Sequence, residues 1–344
     1  MILTYKIKHK QDFSEELSKA KRIAEFGIQT KSRSSADVKH FGLKSAISNQ
    51  ILKKYSGSKT VKKIKSVKLT IPSQSIQIKD MRIYVPCLKL GLDIYFPKGF
   101  QKINQIELGE EFAYISVSYI EKPQYEPTCL IGVDRNTTHH IVVASNINSG
   151  KVLKLGKSCN HIHKKYSNIR KSLQKKGKFK RLKRMKNREQ RIIRDINHKV
   201  STKLVNEVYK VKGGLVFEDL KGIRTTAKTR RKQRYSLNSW SFYQLQMFVE
   251  YKAKKLGVPI YYVEPQYTSQ RCCKCGHIER ANRKGNLFNC KKCRTVEDSG
   301  VNAGFNIAHL QKYSIPQFNK DSDLLKGNTD CPIKKLCVIK STQL

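Results

Sequence analysis

The sequence predicts a multidomain α/β protein, and three observations carry that reading. The hydrophobic period changes between residues 64 and 121, two apolar runs each end in an acid, and two C-x-x-C knuckles lie near the C-terminus. At 344 residues with 38% apolar content, the chain is long enough to bury two or three cores. It carries no internal repeat.

The first residues alternate as a short strand, and helical patterns follow. Phe13, Leu17, Ala20 and Ala24 share one helical face, and Leu43, Ala46, Ile47 and Ile51 share another. From residue 64 the period is two: Val67, Leu69 and Ile71; Ile83 and Val85; Leu88, Leu90, Leu92, Ile94 and Phe96; then Ala113, Ile115, Val117 and Tyr119. This predicts a small antiparallel β-barrel, residues 1–10 and 62–122, with a helical insertion at 11–61. Pro123 and Pro127 mark a linker, because proline breaks both helix and ladder.

Cys129-Leu130-Ile131-Gly132-Val133 reads as a strand buried on both faces and ends in Asp134. Strands over 141–144 and 152–155 follow at hairpin spacing. A long basic helical stretch then leads to Gly214-Leu215-Val216-Phe217, which ends in Glu218. Two buried strands that each deliver a carboxylate match the layout of a two-metal phosphoryl-transfer site, in which paired acids hold Mg²⁺ ions. A turn residue or helix cap is the plainer explanation for either acid alone.

Charge narrows the partners. Seventy Lys and Arg against 26 Asp and Glu leave a net charge of +44, which calls for a polyanion. Thirteen of the 25 residues from 164 to 188 are basic and none is acidic. Tyr166, Ile169 and Leu173, then Leu182, Met185, Ile192, Ile196 and Val200, lie beneath that charge at helical spacing. The expectation is a helix pair with one face on the sheet and the other toward phosphate, through Lys175, Lys176, Lys178, Lys180, Arg181 and Arg184. His161 and His163 are expected to flank a loop and touch phosphate. Arg224 to Arg234, with Arg230, Arg231 and Lys232, reads as a loop covering a bound strand. Trp240, Tyr243, Met247 and Tyr251 are expected in the core. No segment is apolar enough to cross a membrane and the start lacks a secretion-signal layout, so a cytoplasmic, nucleoid-associated protein is expected.

Cys272 and Cys275, then Cys290 and Cys293 after fourteen residues, have the spacing of a four-thiolate zinc ribbon over 268–296. Cys273 makes a poorer knuckle with Cys275. Cys87, Cys129, Cys159, Cys331 and Cys337 form no disulfide framework. Beyond 313 the chain is polar and mixed, a C-terminal tail over 314–344.

In order along the chain, Gly132-Val133-Asp134-Arg135-Asn136-Thr137-Thr138, Phe217-Glu218-Asp219-Leu220-Lys221-Gly222-Ile223-Arg224, Ser236-Leu237-Asn238-Ser239-Trp240-Ser241-Phe242-Tyr243-Gln244-Leu245, the ribbon, and Asn302-Ala303-Gly304-Phe305-Asn306-Ile307-Ala308 resemble TnpB proteins. Those are transposon-encoded, RNA-guided nucleases ancestral to the type V CRISPR effectors. The resemblance implies an RNase H-like (RuvC-like) nuclease domain over 128–267 and 297–313, interrupted by the zinc ribbon. It also implies that the preceding barrel is a wedge domain with a recognition-like helical insertion. The implied partners are a guide RNA from the transposon end and double-stranded target DNA, with structural Zn²⁺ and catalytic Mg²⁺.

Carried over, Asp134 and Glu218 match the first two catalytic carboxylates. The third family acid stands in Asp-x-Asn-Ala, where this chain has Gly300 before Val301-Asn302-Ala303. Asp298 is two residues upstream, displaced by roughly 7 Å in extended chain, and serves only if the loop refolds. Slow or absent cleavage is therefore expected, improved by Gly300→Asp if the rest of the site is intact. Arg294 replaces the Gly that usually follows the fourth cysteine, which is expected to loosen that knuckle. The alternatives are a nuclease-dead RNA-guided repressor and a plain zinc-ribbon nucleic-acid binder.

Overall fold

In the computed structural model, residues 1–58, 60–61, 63–79, 82–94, 99–136, 140–220 and 242–313 are described. They divide into two compact units, Met1–Glu121 and the chain from Lys122 on.

The first unit holds strands β1 (Ile2–Lys8), β2 (Leu69–Pro72), β3 (Gln77–Lys79), β4 (Arg82–Val85), β5 (Leu90–Asp93), β6 (Phe100–Leu108) and β7 (Phe112–Tyr119), and helices α1 (Ser14–Thr30) and α2 (Ser45–Tyr55). All strand pairs are antiparallel, in two sheets of order β1-β7-β6-β2 and β3-β4-β5. Ile23, Ile47 and Ile51 of the helices share one core with Ile71, Ile83, Ile106 and Val117 of both sheets. The helices thus have no separate core. The alternation rule overlooks β6 because register shifts at Phe100/Lys102 and Ile103/Gln105 space its buried residues unevenly, at Ile103, Ile106 and Leu108.

The second unit is built on β8 (Cys129–Arg135), β9 (Val142–Asn146), β10 (Val152–Leu155), β11 (Gly213–Glu218) and β12 (Ile260–Val263), in the order β10-β9-β8-β11-β12. Short connections make β8, β9 and β10 antiparallel, whereas helical crossovers make β11 parallel to both β8 and β12. The helices are α3 (Ser158–Lys175), α4 (Phe179–Arg184), α5 (Arg188–Lys210), α6 (Phe242–Leu256) and α7 (Ser299–Tyr313). One sheet face buries Ile131, Val133, Leu215 and Phe217 against Leu204 and Val208 of α5 and Leu245 and Val249 of α6. The other face takes α7: Val143 packs with Val301 and Phe305, and Val216 and Val263 with Ile307. A second, smaller sheet of this unit joins β13 (Arg283–Lys284), β14 (Leu287–Asn289) and β15 (Val296–Asp298) around Phe288.

The contact of α7 with β8 requires glycine. A Cβ on Gly132 would lie 1.9 Å from the Gly304 carbonyl oxygen and 2.6 Å from the Ala308 nitrogen, so any side chain would push the helix off the strand. That approach brings the first turn of α7 down beside Asp134.

Several sequence expectations change. The basic stretch forms three helices, with α4 separating α3 from α5. The α5 stripe is rotated: Ile193, Asn197, Val200 and Leu204 are buried while Ile192 and Ile196 are only half-buried. His161 and His163 lie inside α3 rather than beside a loop. His163 is buried, with Nδ1 2.6 Å from Glu189 Oε1, so it belongs to the helix packing and not to a phosphate surface. On α6 two stripes fit helical spacing, and the sheet selects the slimmer one, Leu245, Val249 and Ala253. Tyr243 is consequently 70% exposed and Met247 42% exposed, contrary to the core expectation, and Tyr251 is half-buried. Phe96, Thr137 and Thr138, the loop with Arg230, Arg231 and Lys232, Trp240, and the tail with Cys331 and Cys337 lie outside the described residues.

Candidate functional site

The structure brings Cys272, Cys275, Cys290 and Cys293 together, with all four sulfurs within 4.8 Å of one another. Cys272 Sγ lies 3.6 Å from Cys293 Sγ, and Cys275 Sγ lies 3.5 Å from Cys290 Sγ. Tetrahedral zinc with bonds of ~2.3 Å spaces its sulfurs by roughly 3.8 Å, so the thiols fit Zn²⁺ with little adjustment. The knuckles repeat each other atom for atom. Cys272 N donates to His277 O and Gly276 N to Cys272 O; Cys290 N donates to Thr295 O and Arg294 N to Cys290 O, each at 2.9 Å. Gly276 (φ 73°) and Arg294 (φ 56°) occupy equivalent left-handed positions. Arg294 therefore keeps the turn intact at a backbone cost of about 1–2 kcal/mol rather than loosening it. Cys273 turns away and is buried with Val143, Val301 and Phe305.

Asp134 and Glu218 are brought together by strand register. Val133 pairs with Phe217 across the parallel β8/β11 ladder, so the next residue of each strand is an acid, both on the face that α7 covers. Burial pushes the Asp134 carboxyl up to about 7, and the neighbouring Glu218 charge adds to the rise, while Arg283, Arg135 and an Asn136 hydrogen bond oppose it. Burial likewise raises Glu218, opposed by the Thr268 hydroxyl, Arg135 and Arg283. The donors are specific. Asn136 Nδ2 donates to Asp134 Oδ2 at 2.6 Å, Thr268 Oγ1 donates to Glu218 Oε1, and Arg135 donates to the Glu218 carbonyl at 2.5 Å.

Asp298 does not join them. Its Oδ1 accepts from Gly300 N at 2.9 Å and Val301 N at 3.2 Å, which caps α7, and its Oδ2 accepts from Lys154 Nζ at 3.2 Å. The cap is thus Asp298 itself. Gly300 is the residue that faces the acid: a Cβ there would lie 3.1 Å from Asp134 Oδ2. Two carboxylates already held by an amide, a hydroxyl and guanidinium charge do not fit a pair of Mg²⁺ ions, which need several free anionic oxygens between them.

Other residues at this centre escape sequence reading. Arg283, on β13 of the ribbon, places its charge near both acids. Asn302 and Asn306, one turn apart on α7, both donate to Arg271 O at 2.8 and 2.7 Å, and Asn306 also donates to Thr268 O at 2.8 Å. Asn302 Oδ1 accepts from Cys273 N at 2.9 Å. These amides tie the chain entering the first knuckle to α7 and so hold Thr268 against Glu218. Their i, i+4 spacing is the one available signal. Away from this centre, Lys175, Lys176, Lys178, Lys180, Arg181 and Arg184 are all exposed around the α3–α4 turn, with Phe179 66% exposed among them. Among the described residues, no helix is long and apolar enough to cross a membrane.

Comparison with known proteins places this arrangement. The Cas12f1-like, TNB domain family model matches residues 242–307, which span α6, the ribbon and most of α7. TnpB-like protein MJ0751 of Methanocaldococcus jannaschii is 31% identical over 218 residues, covering 61% of this chain and 78% of that protein. The CRISPR-associated endodeoxyribonuclease Cas12f1 of Sulfoacidibacillus thermotolerans is 29% identical over 226 residues, 60% of this chain and 51% of that one. The putative RNA-guided DNA endonuclease InsQ of Escherichia coli K12 is 25% identical over 219 residues, 56% and 52% of the two chains. The chain thus spans only about half the length of these last two relatives. A Cas12f1-sgRNA-target DNA complex aligns with TM-score 0.44 and 19% identity over 90% of this chain and 100% of that one. With a four-thiolate cluster inside the TNB match and MJ0751 covered over most of its length, this chain belongs to the TnpB/Cas12f-like family, which is related to the type V CRISPR effectors.

Proposed function

We propose that this chain is an RNA-guided DNA-binding protein of a transposable element, with an RNase H-like (RuvC-like) centre that cuts DNA slowly or not at all. The observation that carries the reading is the joint state of four positions. Asp134 and Glu218 stand side by side at the ends of β8 and β11, Gly300 faces Asp134, and Asp298 is committed to the α7 cap. The sheet order β10-β9-β8-β11-β12, three antiparallel strands followed by two parallel ones, supports the RNase H-like assignment. Guide pairing supplies sequence choice, and the protein holds the backbone through Lys175, Lys176, Lys178, Lys180, Arg181 and Arg184. Arg230, Arg231 and Lys232 are assigned to the same role from sequence alone. The first unit, with two antiparallel sheets and a helix pair, is read as the wedge with its recognition insertion, which takes the short motif flanking the target. The thiolates hold zinc and keep Thr268 and Arg283 beside the acids.

The test is to sequence the RNA that copurifies with the protein and to measure binding and cutting of matching DNA separately. Tight RNA-dependent binding with little cutting in Mg²⁺ is expected. Brisk cutting by the unmodified protein, abolished by Asp298→Ala, would show that the α7 cap opens and that Asp298 reaches the centre. DNA binding indifferent to RNA would favour a plain zinc-ribbon binder.

A further inference from the structure

The space beside Asp134 that a third acid would enter is already taken. Asn136, just past the end of β8, turns its amide back so that Nδ2 donates to Asp134 Oδ2 at 2.6 Å. A Cβ built on Gly300 would lie 2.9 Å from that same nitrogen, 3.1 Å from Asp134 Oδ2 and 3.1 Å from Val143 Cγ2. Any side chain at 300 must therefore pass between an amide, a carboxylate and a buried valine. Val143 is β-branched and packed among Val301, Phe305 and Cys273, so it has little room to yield. Asn136 can swing aside only by surrendering its hydrogen bond to a buried carboxylate, which leaves an acceptor unsatisfied.

We infer that Asn136 and Gly300 act as a coupled pair, the Asn136 amide occupying the third-ligand place beside Asp134, so that the centre is closed to a second cation by a donor as well as by a missing acid. This rests on the reading that Asp134 and Glu218 are the remnant of a two-metal centre. An amide N–H turned toward Asp134 Oδ2 holds partial positive charge where a cation would need a lone pair. Restoring the acid at 300 alone therefore adds a third carboxylate to a space that the Asn136 amide already occupies and gains little. Removing the Asn136 amide at the same time frees both the volume and the Asp134 oxygen. The sequence expectation attaches a condition to rescue by Gly300→Asp, that the rest of the site be intact; on this inference Asn136 breaks that condition, and rescue takes two substitutions.

The probe is Mn²⁺, titrated by calorimetry and by its electron paramagnetic resonance signal into the full-length, zinc-loaded protein without guide. Four proteins form a double-mutant cycle: unmodified, Asn136→Ala, Gly300→Asp, and both together. Each single variant is expected to bind Mn²⁺ within about threefold of the unmodified protein, and the double variant at least about tenfold more tightly than Gly300→Asp. Either single variant, Gly300→Asp or Asn136→Ala, matching the double variant would overturn the coupling. Zinc content and melting temperature show whether each variant is folded. If the double variant does not fold, Asn136→Asp decides, because it is isosteric and turns the donor into an acceptor in place. A gain of about tenfold over the unmodified protein supports the inference, and no gain overturns it. Guided DNA binding in Mg²⁺-free buffer is scored apart from these titrations. Its failure would count against the functional reading while leaving the Mn²⁺ comparison to judge the pair.

Discussion

A five-residue segment, Thr268 to Cys272, joins a cluster of four thiols to a pair of buried acids, and the two groups are satisfied in very different ways. On one side four thiols stand at near-tetrahedral spacing. On the other, each of two buried acids has one oxygen engaged, Asp134 by Asn136 and Glu218 by Thr268, and the charge of both is opposed by Arg135 and Arg283. The lesson is that ligand identity alone does not make a metal site. Thiols on two rigid knuckles have no competing partner of comparable strength, whereas carboxylates in a cationic, hydrogen-bonding surround can be satisfied without a metal.

The largest expected effect breaks the thiol side. Zinc coordination by four thiolates is worth on the order of 10 kcal/mol, so Cys290→Ser should release the ion and unfold the ribbon. Metal analysis of the unmodified protein should give close to one zinc per chain, and less than about half an equivalent would sink the ribbon assignment. Because Asn302 and Asn306 tie the first knuckle to α7, the loss should also raise amide exchange along 268–273.

The basic surface comes next. Exchanging Lys175, Lys176, Lys178 and Lys180 for Gln should reduce the slope of log affinity against log salt by up to about 3, since each phosphate contact contributes ~0.7–0.9. An unchanged slope would make this turn ordinary solvated surface.

A smaller effect probes the acids without any activity. The folded-state value of Asp134, about 7, lies above its usual 3.8, so its neutral form favours the fold. That contribution is fully present below pH 4 and is lost as pH rises through 7. Asp134→Asn in Mg²⁺-free buffer should therefore gain stability over the unmodified protein with rising pH, by on the order of 4 kcal/mol at pH 8 and close to nothing at pH 4. Denaturation at several pH values reads this directly, and a difference that is flat with pH would contradict a buried acid held partly neutral.

The smallest expected effect compares the two knuckles. Arg294→Gly relieves a left-handed backbone that Gly276 adopts without strain, and should stabilise the zinc-loaded protein by about 0.5–1 kcal/mol. Equal stability would mean that the Arg294 side chain makes compensating contacts.

The zinc ligands were legible in the sequence because a knuckle is a local object: two cysteines three positions apart and a left-handed turn determine its shape within five residues. Buried strands ending in Asp134 and Glu218 were legible for the same reason, since apolar runs report burial directly. Helical faces were legible only up to rotation, as α6 shows, because two stripes on one helix satisfy the same period and the neighbouring sheet chooses between them. What tertiary structure alone decided is which atoms surround the acids. Asn136, Thr268, Arg283 and Gly300 come from the residue after β8, the approach to the ribbon, the ribbon itself and α7, and no period or spacing connects them. They meet because Gly132 lets α7 lie against β8 and because the Asn302 and Asn306 amides draw the ribbon's entry onto that helix. Sequence therefore determined which residues could bind metal, while close packing of distant segments decided which of them remain free to do so.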